Sequence, residues 1–225
     1  MSRHFTMEER AWHAWLEPAG PETASAAQRE AYETSVWPHS PYFRLLAWHP
    51  GSLSARTALD RAIFLTRGGL PRGDRELAAT VASRVNGCEL CASVHARFTA
   101  TFLRDAEAVE RLLSEGPEAE LPARSRAIVD AAAALTATPI AFGAHHVAAL
   151  REAGLSDPDI ADVIQATAFF AWANRLMLSL GAPAAPSGAD AEALGDQRAA
   201  DDAAAEASPA SRALTNGQNV SAQIS

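Results

Sequence analysis

The chain has 225 residues, of which 48% are hydrophobic and 7% aromatic, and its formal net charge is −8. This length is enough for one well-buried domain, and abundant alanine with few aromatic residues favours packed helices over sheets. The negative charge argues against nucleic-acid binding, which needs a concentrated basic surface. The absence of lysine excludes a Schiff-base lysine and a P-loop lysine.

Residues 1–39 form an N-terminal arm that is rich in Trp, Pro and Glu. Its first ten residues are polar and charged, without the hydrophobic segment of a signal peptide, and no stretch of the chain is apolar enough to span a bilayer. We therefore expect a cytoplasmic protein with no membrane partner. In that reducing compartment, two cysteines three residues apart are expected to serve metal binding or redox catalysis rather than a structural disulfide.

Residues 40–182 carry helical periodicity, and no segment predicts a strand. Ser40 followed by Pro41 is typical of a helix start, Gly68-Gly69 of a helix end, and Ser156 of an N-cap. The pattern predicts helices over residues 40–48, 52–67, 71–86, 88–104, 105–115, 122–137, 143–153 and 156–180. We therefore predict an all-α domain.

From residue 183 the composition changes to Ala, Asp, Ser, Gly and Gln, with few large apolar side chains. Such a segment buries too little surface to offset the entropy lost on ordering. The sequence therefore predicts a disordered tail over residues 183–225.

The most informative segment is Cys88-Glu89-Leu90-Cys91-Ala92-Ser93-Val94-His95. On a helix its two cysteines and its histidine share one face, because they are spaced by three and four residues. Asn86-Gly87 breaks the preceding helix, so both sulfurs should lie in the first turn of a new one. There the helix dipole favours a thiolate. The pattern supplies a nucleophile, a base one turn away and a second sulfur to resolve an oxidised product.

Two other interpretations of this segment stay open. The cysteines and the histidine could share a face by coincidence, since cysteine is often a small buried hydrophobe. Alternatively, Cys88, Cys91 and His95 could bind zinc, with His145, His146 or an acidic residue as the fourth ligand. Structural zinc sites usually take a second pair of closely spaced ligand residues from another part of the chain, and this chain has only two cysteines. We therefore expect no metal and no other cofactor.

The combination of Glu76, eleven intervening residues and the Cys-x-x-Cys-x-x-x-His motif resembles the AhpD-like alkylhydroperoxidases of the carboxymuconolactone decarboxylase superfamily. The flanking segments 75–77 and 81–87 and the late helix 169–176 agree, so the resemblance covers about residues 40–183. The arm resembles the peroxidase-related branch of that superfamily. The resemblance implies an AhpD-like all-helical domain and an oxidoreductase with peroxiredoxin-type activity.

The resemblance also implies a role for each matching residue. Cys91 is expected to attack a hydroperoxide and become a sulfenic acid, and Cys88 to resolve it to a disulfide and meet the reductant. Glu76 and His95 are expected to form the proton relay that activates Cys91. Leu90 departs from the family pattern, in which the best-studied members have histidine before the second cysteine, so the relay here is expected to be shorter.

The expected partners are a hydroperoxide substrate, a dithiol, thioredoxin-like or lipoyl reductant, and further copies of the chain in a trimer or hexamer. The arm tryptophans suggest a role between subunits. From the sequence, Phe169, Phe170 and Trp172 are expected in the core or an interface. Asn174-Arg175 is expected to fix helix contacts or a subunit interface. Two functional alternatives are a decarboxylase or lyase of the same superfamily and a non-catalytic redox-sensing adaptor.

Overall fold

The computed structural model describes residues 3–207, which contain ten α-helices and two short strands. The helices are α1 Ala26–Glu33, α2 Pro41–Leu46, α3 Pro50–Phe64, α4 Arg72–Asn86, α5 Glu89–Leu103, α6 Ala106–Glu115, α7 Ala123–Thr136, α8 Ala144–Glu152, α9 Asp157–Leu180 and α10 Ala191–Ala207. The strands are β1 Ala11–Ala14 and β2 Gly181–Ala184. Within residues 3–207, no helix is both long and apolar enough to cross a membrane.

The all-helical prediction is confirmed, and α2 to α9 correspond one for one to the eight predicted helices. Ser156 forms the predicted N-cap of α9 through a capping box with Asp159, and Pro41 occupies the first turn of α2. These boundaries were predictable because caps, prolines and glycines act locally. The sequence did not predict α1, α10 or the two strands.

The central element is α4, which packs against α5, α7 and α9. Ala78, Ala79 and Ala82 are fully buried along it, and these small side chains let neighbouring helices approach closely. Thr80 Oγ1 lies 3.1 Å from Thr99 Oγ1 of α5 in the buried contact between the two helices. Because α4 and α5 pack antiparallel, residues near the start of α4 lie beside the middle of α5.

The N-terminal arm folds back onto the domain through the strand pair. β1 pairs antiparallel with β2, with Ala11 opposite Ala184 and Ala14 opposite Gly181. Trp12 is buried, and its Nε1 donates a hydrogen bond to the Met177 carbonyl at 3.3 Å. Trp12 therefore anchors the arm within the chain, whereas Trp15 is 64% exposed. The subunit role suggested for the arm tryptophans stays a prediction.

The structure differs from the predicted disordered tail over residues 183–207. Half of β2 and all of α10 lie in this segment, whereas residues 208–225 lie outside the described residues. α10 buries only Leu194 and Gln197 among its described side chains, and ion pairs supplement this small contact. Arg198 binds both carboxylate oxygens of Glu9 at 2.7 and 2.8 Å. Composition alone does not reveal such pairs, because they depend on where the arm lies.

Gly87 makes the turn between α4 and α5 possible. Its φ of 80° lies in the left-handed region, and the Cys88 N–H after it donates to the Ser83 carbonyl at 2.9 Å. A side chain in this conformation costs about 1–2 kcal/mol, and the Arg3 guanidinium packs where a Cβ would lie. We expect Gly87→Ala to lower the free energy of unfolding in urea by about that amount.

Gly51→Ala is the matched control, because Gly51 lies in the first turn of α3 with open space within 4 Å of the place where a Cβ would lie. Alanine in a helix is favoured over glycine by about 0.5–1 kcal/mol, so this variant should be unchanged or more stable. Equal losses in both variants would contradict the role assigned to the turn.

Candidate active site

The turn at Gly87 places both sulfurs at the amino end of α5, as the sequence predicted. Cys88 is the N-cap of that helix, and Cys91 is its third residue. Both are free thiols, 2% and 6% exposed, and the Cys88 thiol donates a hydrogen bond to the Cys91 sulfur across 2.9 Å. A disulfide bond is about 2.05 Å long, so a shift of roughly 1 Å would join the two sulfurs.

The two thiols differ in acidity. The hydrogen bond from Cys88 lowers the pKa of Cys91, and the side-chain hydrogen bond from Asn174, the Arg56 charge and a backbone N–H lower it further, which together outweigh burial. Burial raises the pKa of Cys88 well above its ordinary value, and its hydrogen bond to Cys91 raises it further. Cys91 is therefore the thiol that ionises first.

A buried chain of ionic contacts lies beside the sulfurs. Glu76 is fully buried; its Oε2 lies 2.6 Å from His95 Nδ1, and its Oε1 accepts from Arg72 Nε at 2.6 Å. Burial acts to raise the pKa of Glu76, but His95 and Arg72 outweigh it, so the pKa is lowered. A carboxylate only accepts hydrogen bonds, so His95 Nδ1 carries the proton and Nε2 is left for proton exchange.

The contact between Thr80 of α4 and Thr99 of α5 holds Glu76 and His95 at matching positions on the two helices. Thr80 Oγ1 donates to the Glu76 carbonyl at 2.9 Å, and Thr99 Oγ1 donates to the His95 carbonyl at 2.7 Å. Each threonine therefore lies one turn from one member of the carboxylate–imidazole pair. Phe170 packs its ring 4.0 Å from that of His95 and restricts the imidazole further.

A cavity of about 410 Å³ adjoins these groups and is bordered by Cys91, His95 and Glu76. Cys88 is not among its lining residues. Most of its wall is apolar or aromatic, and its charged side chains are few. Besides Glu76, they are Arg56, Asp60, Arg61 and Arg72. The cavity therefore gives an apolar molecule access to Cys91 among a small number of polar groups.

The C-terminal helix α10 contributes to the wall of this cavity through Ala203. Arg198 connects α10 to the arm, and the His39 N–H donates to Asp196 Oδ2 at 3.1 Å. The arm also contacts α5, because Ser93 Oγ donates to the Glu8 carbonyl. Segments outside the predicted helical domain thus cover part of the site.

The structure brings together all four predicted site residues: Glu76, Cys88, Cys91 and His95. It adds Arg72, which lies one turn before Glu76 on α4, a spacing that could have indicated an ion pair. Phe170 lies in the core, as expected, and it also lines the cavity. Asn174 does join helices, because its side-chain amide lies 3.1 Å from Ser83 Oγ, and it also influences Cys91.

The ligands of the alternative zinc site do not converge. Within residues 3–207, no group of three His, Cys, Asp or Glu side chains is arranged to hold a metal ion. His95 Nδ1 is occupied by Glu76. His145 and His146 lie in α8, where their rings contact each other at 3.9 Å and His146 stacks on Phe142 at 5.2 Å.

The acidity of Cys91 should depend on the donor at Cys88. Cys88→Ala removes the largest cause that lowers the pKa of Cys91, so the pH midpoint for alkylation of Cys91 by iodoacetamide should rise. At neutral pH the rate should fall about tenfold, as for loss of a hydrogen bond to a charged group. Cys88→Ser keeps an O–H donor and should show a smaller shift. Identical midpoints in all three proteins would contradict this account.

The chain is similar to a known protein family and to solved structures with the same fold. Residues 50–113 match the model of the Carboxymuconolactone decarboxylase family. No curated protein matches the chain. An uncharacterized peroxidase-related protein from Ralstonia eutropha JMP134, described as an alkylhydroperoxidase AhpD core, is 29% identical with a TM-score of 0.56, over 61% of this chain and 73% of its own.

Two further solved structures are similar. An uncharacterized peroxidase-related protein from Silicibacter sp. TM1040 is 29% identical with a TM-score of 0.56, over 62% of this chain and 74% of its own. The debrominase Bmp8 shares the fold at 15% identity with a TM-score of 0.61, over 82% of this chain and 98% of its own. The segment 50–113 thus resembles the carboxymuconolactone decarboxylase family, and the fold of the chain is AhpD-like.

Proposed function

We propose that this chain is a thiol-dependent peroxidase that reduces hydroperoxides through a disulfide cycle between Cys88 and Cys91. The observation that supports it most is the asymmetry of the pair. Cys91 has the lowered pKa and borders the cavity, while Cys88 keeps its proton 2.9 Å away. The peroxidase-related proteins of similar structure support the same activity.

In the first step the Cys91 thiolate attacks the terminal oxygen of a hydroperoxide. An S–O bond forms, the O–O bond breaks, and the alkoxide leaves with the electron pair. The proton that His95 Nε2 took from the Cys91 thiol completes the alcohol, and Cys91 becomes a sulfenic acid. Glu76 orients the imidazole and stabilises the imidazolium, as the carboxylate of a carboxylate–imidazole pair does.

In the second step Cys88 attacks the sulfenic sulfur of Cys91. An S–S bond forms, and hydroxide leaves with the thiol proton as water. A dithiol then reopens the disulfide in two exchanges and becomes a disulfide itself, which restores both thiols. Both sulfurs are buried and only Cys91 borders the cavity, so a slender lipoyl-type dithiol that enters the cavity fits this site better than a folded thioredoxin-like protein. Such a dithiol meets Cys91 first, whereas the resemblance implied that it meets Cys88.

Leu90 lines the cavity where the best-studied members of the family have a histidine. In the proposed cycle the relay therefore runs through Glu76 and His95 without a second imidazole. A trimeric or hexameric assembly and a cytoplasmic location belong to the same proposal. The assembly rests on the resemblance to the family.

The test is consumption of cumene hydroperoxide by the reduced protein, with and without dihydrolipoamide. We expect about one equivalent to be consumed without the dithiol and many equivalents with it. A redox-sensing adaptor would stop after one equivalent even when the dithiol is present. A decarboxylase or lyase would leave the hydroperoxide unconsumed, and that result would overturn the proposal.

A further inference from the structure

A hydroxyl group without an acceptor is buried in the wall of the cavity. Tyr42 of α2 is 1% exposed, and its Oη donates to no acceptor among residues 3–207, although the Arg56 side chain lies close enough to interact with it. Burying a hydroxyl in this state costs about 1–3 kcal/mol. Such a group in a native structure therefore calls for an explanation, of which a bound molecule is one. Tyr42 borders the same cavity as Cys91.

The phenol ring is held firmly in place by its neighbours. Trp12 packs edge-to-face on it at 5.6 Å between centroids, and Phe43 does the same at 5.3 Å. Trp12 is itself fixed by its hydrogen bond to the Met177 carbonyl. A hydroxyl on a ring held this way is a preorganised donor, which need not reorganise when a substrate reacts beside it.

Burial keeps the Tyr42 hydroxyl protonated. Burial raises the pKa of Tyr42 to about 12, and the charge of the Cys91 thiolate acts in the same direction against a partly opposing effect of Arg56. Tyr42 and Cys91 border one cavity, so a molecule bound there lies beside both residues.

Arg56 adds positive charge at the same place. Its Nη1 donates to Asp60 at 2.9 Å, while its buried Nε has no hydrogen-bond partner within residues 3–207. Arg56 also lowers the pKa of Cys91. This part of the cavity therefore favours a negative charge that develops on a reacting oxygen.

We propose that Tyr42 Oη donates a hydrogen bond to the oxygen that leaves when Cys91 attacks a hydroperoxide. This inference rests on the proposed peroxidase function. As the S–O bond forms and the O–O bond breaks, the leaving oxygen takes the electron pair and becomes negative. Tyr42 stabilises that oxygen and keeps its own proton, while the proton that completes the alcohol comes from His95.

The test compares Tyr42→Phe with Tyr32→Phe in single-turnover oxidation of Cys91 by cumene hydroperoxide. Tyr32 is the chain's other tyrosine and is buried in α1, but it does not line the cavity. Tyr42→Phe removes one oxygen atom, and we expect the oxidation rate to fall about tenfold to a hundredfold, as for loss of a hydrogen bond to a charged group. Tyr32→Phe should react as the wild type does.

Alkylation by iodoacetamide separates an effect on the substrate from an effect on the thiolate. The proposal expects the pH midpoint and the alkylation rate of Cys91 to stay the same in Tyr42→Phe, with unchanged or higher stability in urea. Equal slowing of oxidation and alkylation would show that Tyr42 acts on the thiolate and would overturn the inference. An unchanged oxidation rate in Tyr42→Phe would also overturn the inference, but it would not contradict the proposed peroxidase function. A wild-type protein that hydroperoxide does not oxidise would refute both.

Discussion

Replacing Cys91 by serine is expected to abolish hydroperoxide reduction, with a loss of about a thousandfold or more. A serine hydroxyl is not ionised at neutral pH, and the relay cannot turn it into a comparable nucleophile. The surrounding groups are arranged around the sulfur at this position: the Cys88 thiol, Asn174 and Arg56 all lower its pKa. Coupled oxidation of a dithiol by hydroperoxide measures the loss.

Cys88→Ser is the matched variant for this prediction, because it changes the other sulfur of the pair. Its first turnover should remain within about tenfold of the wild type, since serine keeps a donor to Cys91. Multiple turnover should fail because no resolving thiol is present. If Cys88→Ser lost the first turnover and Cys91→Ser kept it, the roles of the two sulfurs would be reversed.

The second large effect is expected at Glu76. Glu76→Gln keeps the size of the side chain but removes the charge that holds the His95 proton on Nδ1. Loss of general acid–base assistance typically costs about 10²- to 10⁴-fold in rate. We expect a fall in that range in the rate of Cys91 oxidation by hydroperoxide.

The same substitution should destabilise the protein at neutral pH, by roughly 3 kcal/mol in urea unfolding, because the partners of a buried carboxylate are left unmatched. Glu107→Gln is the matched control, since Glu107 also pairs with an arginine one turn away but is 86% exposed. It should change neither activity nor stability. Equal stability of Glu76→Gln and the wild type would contradict the buried ion pair.

The contribution of Glu76 also has a definite pH dependence. Because the pKa of Glu76 is lowered in the folded protein, its stabilisation is complete above the ordinary glutamate value of about 4.3. It is lost as the pH falls through the lowered pKa. The free energy of unfolding should therefore fall less steeply in acid for Glu76→Gln than for the wild type.

Much of the helical domain could be predicted because its signals are local. Pro41, Ser156 and Gly87 mark helix ends through their own backbone chemistry, and the cysteine spacing is set by one helix. The strands could not be predicted, since Ala11 and Ala184 pair across most of the chain without an alternating pattern. α10 could not be predicted because it buries little apolar surface and its ion pair with Glu9 depends on where the arm lies.

The residues of the candidate site also differ in whether the local sequence predicts their positions. Cys88, Cys91 and His95 lie on one helix, so the motif alone places them together, whereas Glu76 depended on antiparallel packing of α4 against α5. Tyr42 could not be predicted, because nothing in its local sequence distinguishes a cavity hydroxyl from a core phenol. Its position results from packing between α2, the arm and the end of α9.

The most direct test of the account is the mass of the reduced protein after one equivalent of hydroperoxide. The wild type should become lighter by two hydrogen atoms, with Cys88 and Cys91 joined in a single chain, and Cys88→Ser should become heavier by one oxygen atom on Cys91. A protein that consumes the hydroperoxide and keeps both thiols free would contradict the disulfide cycle.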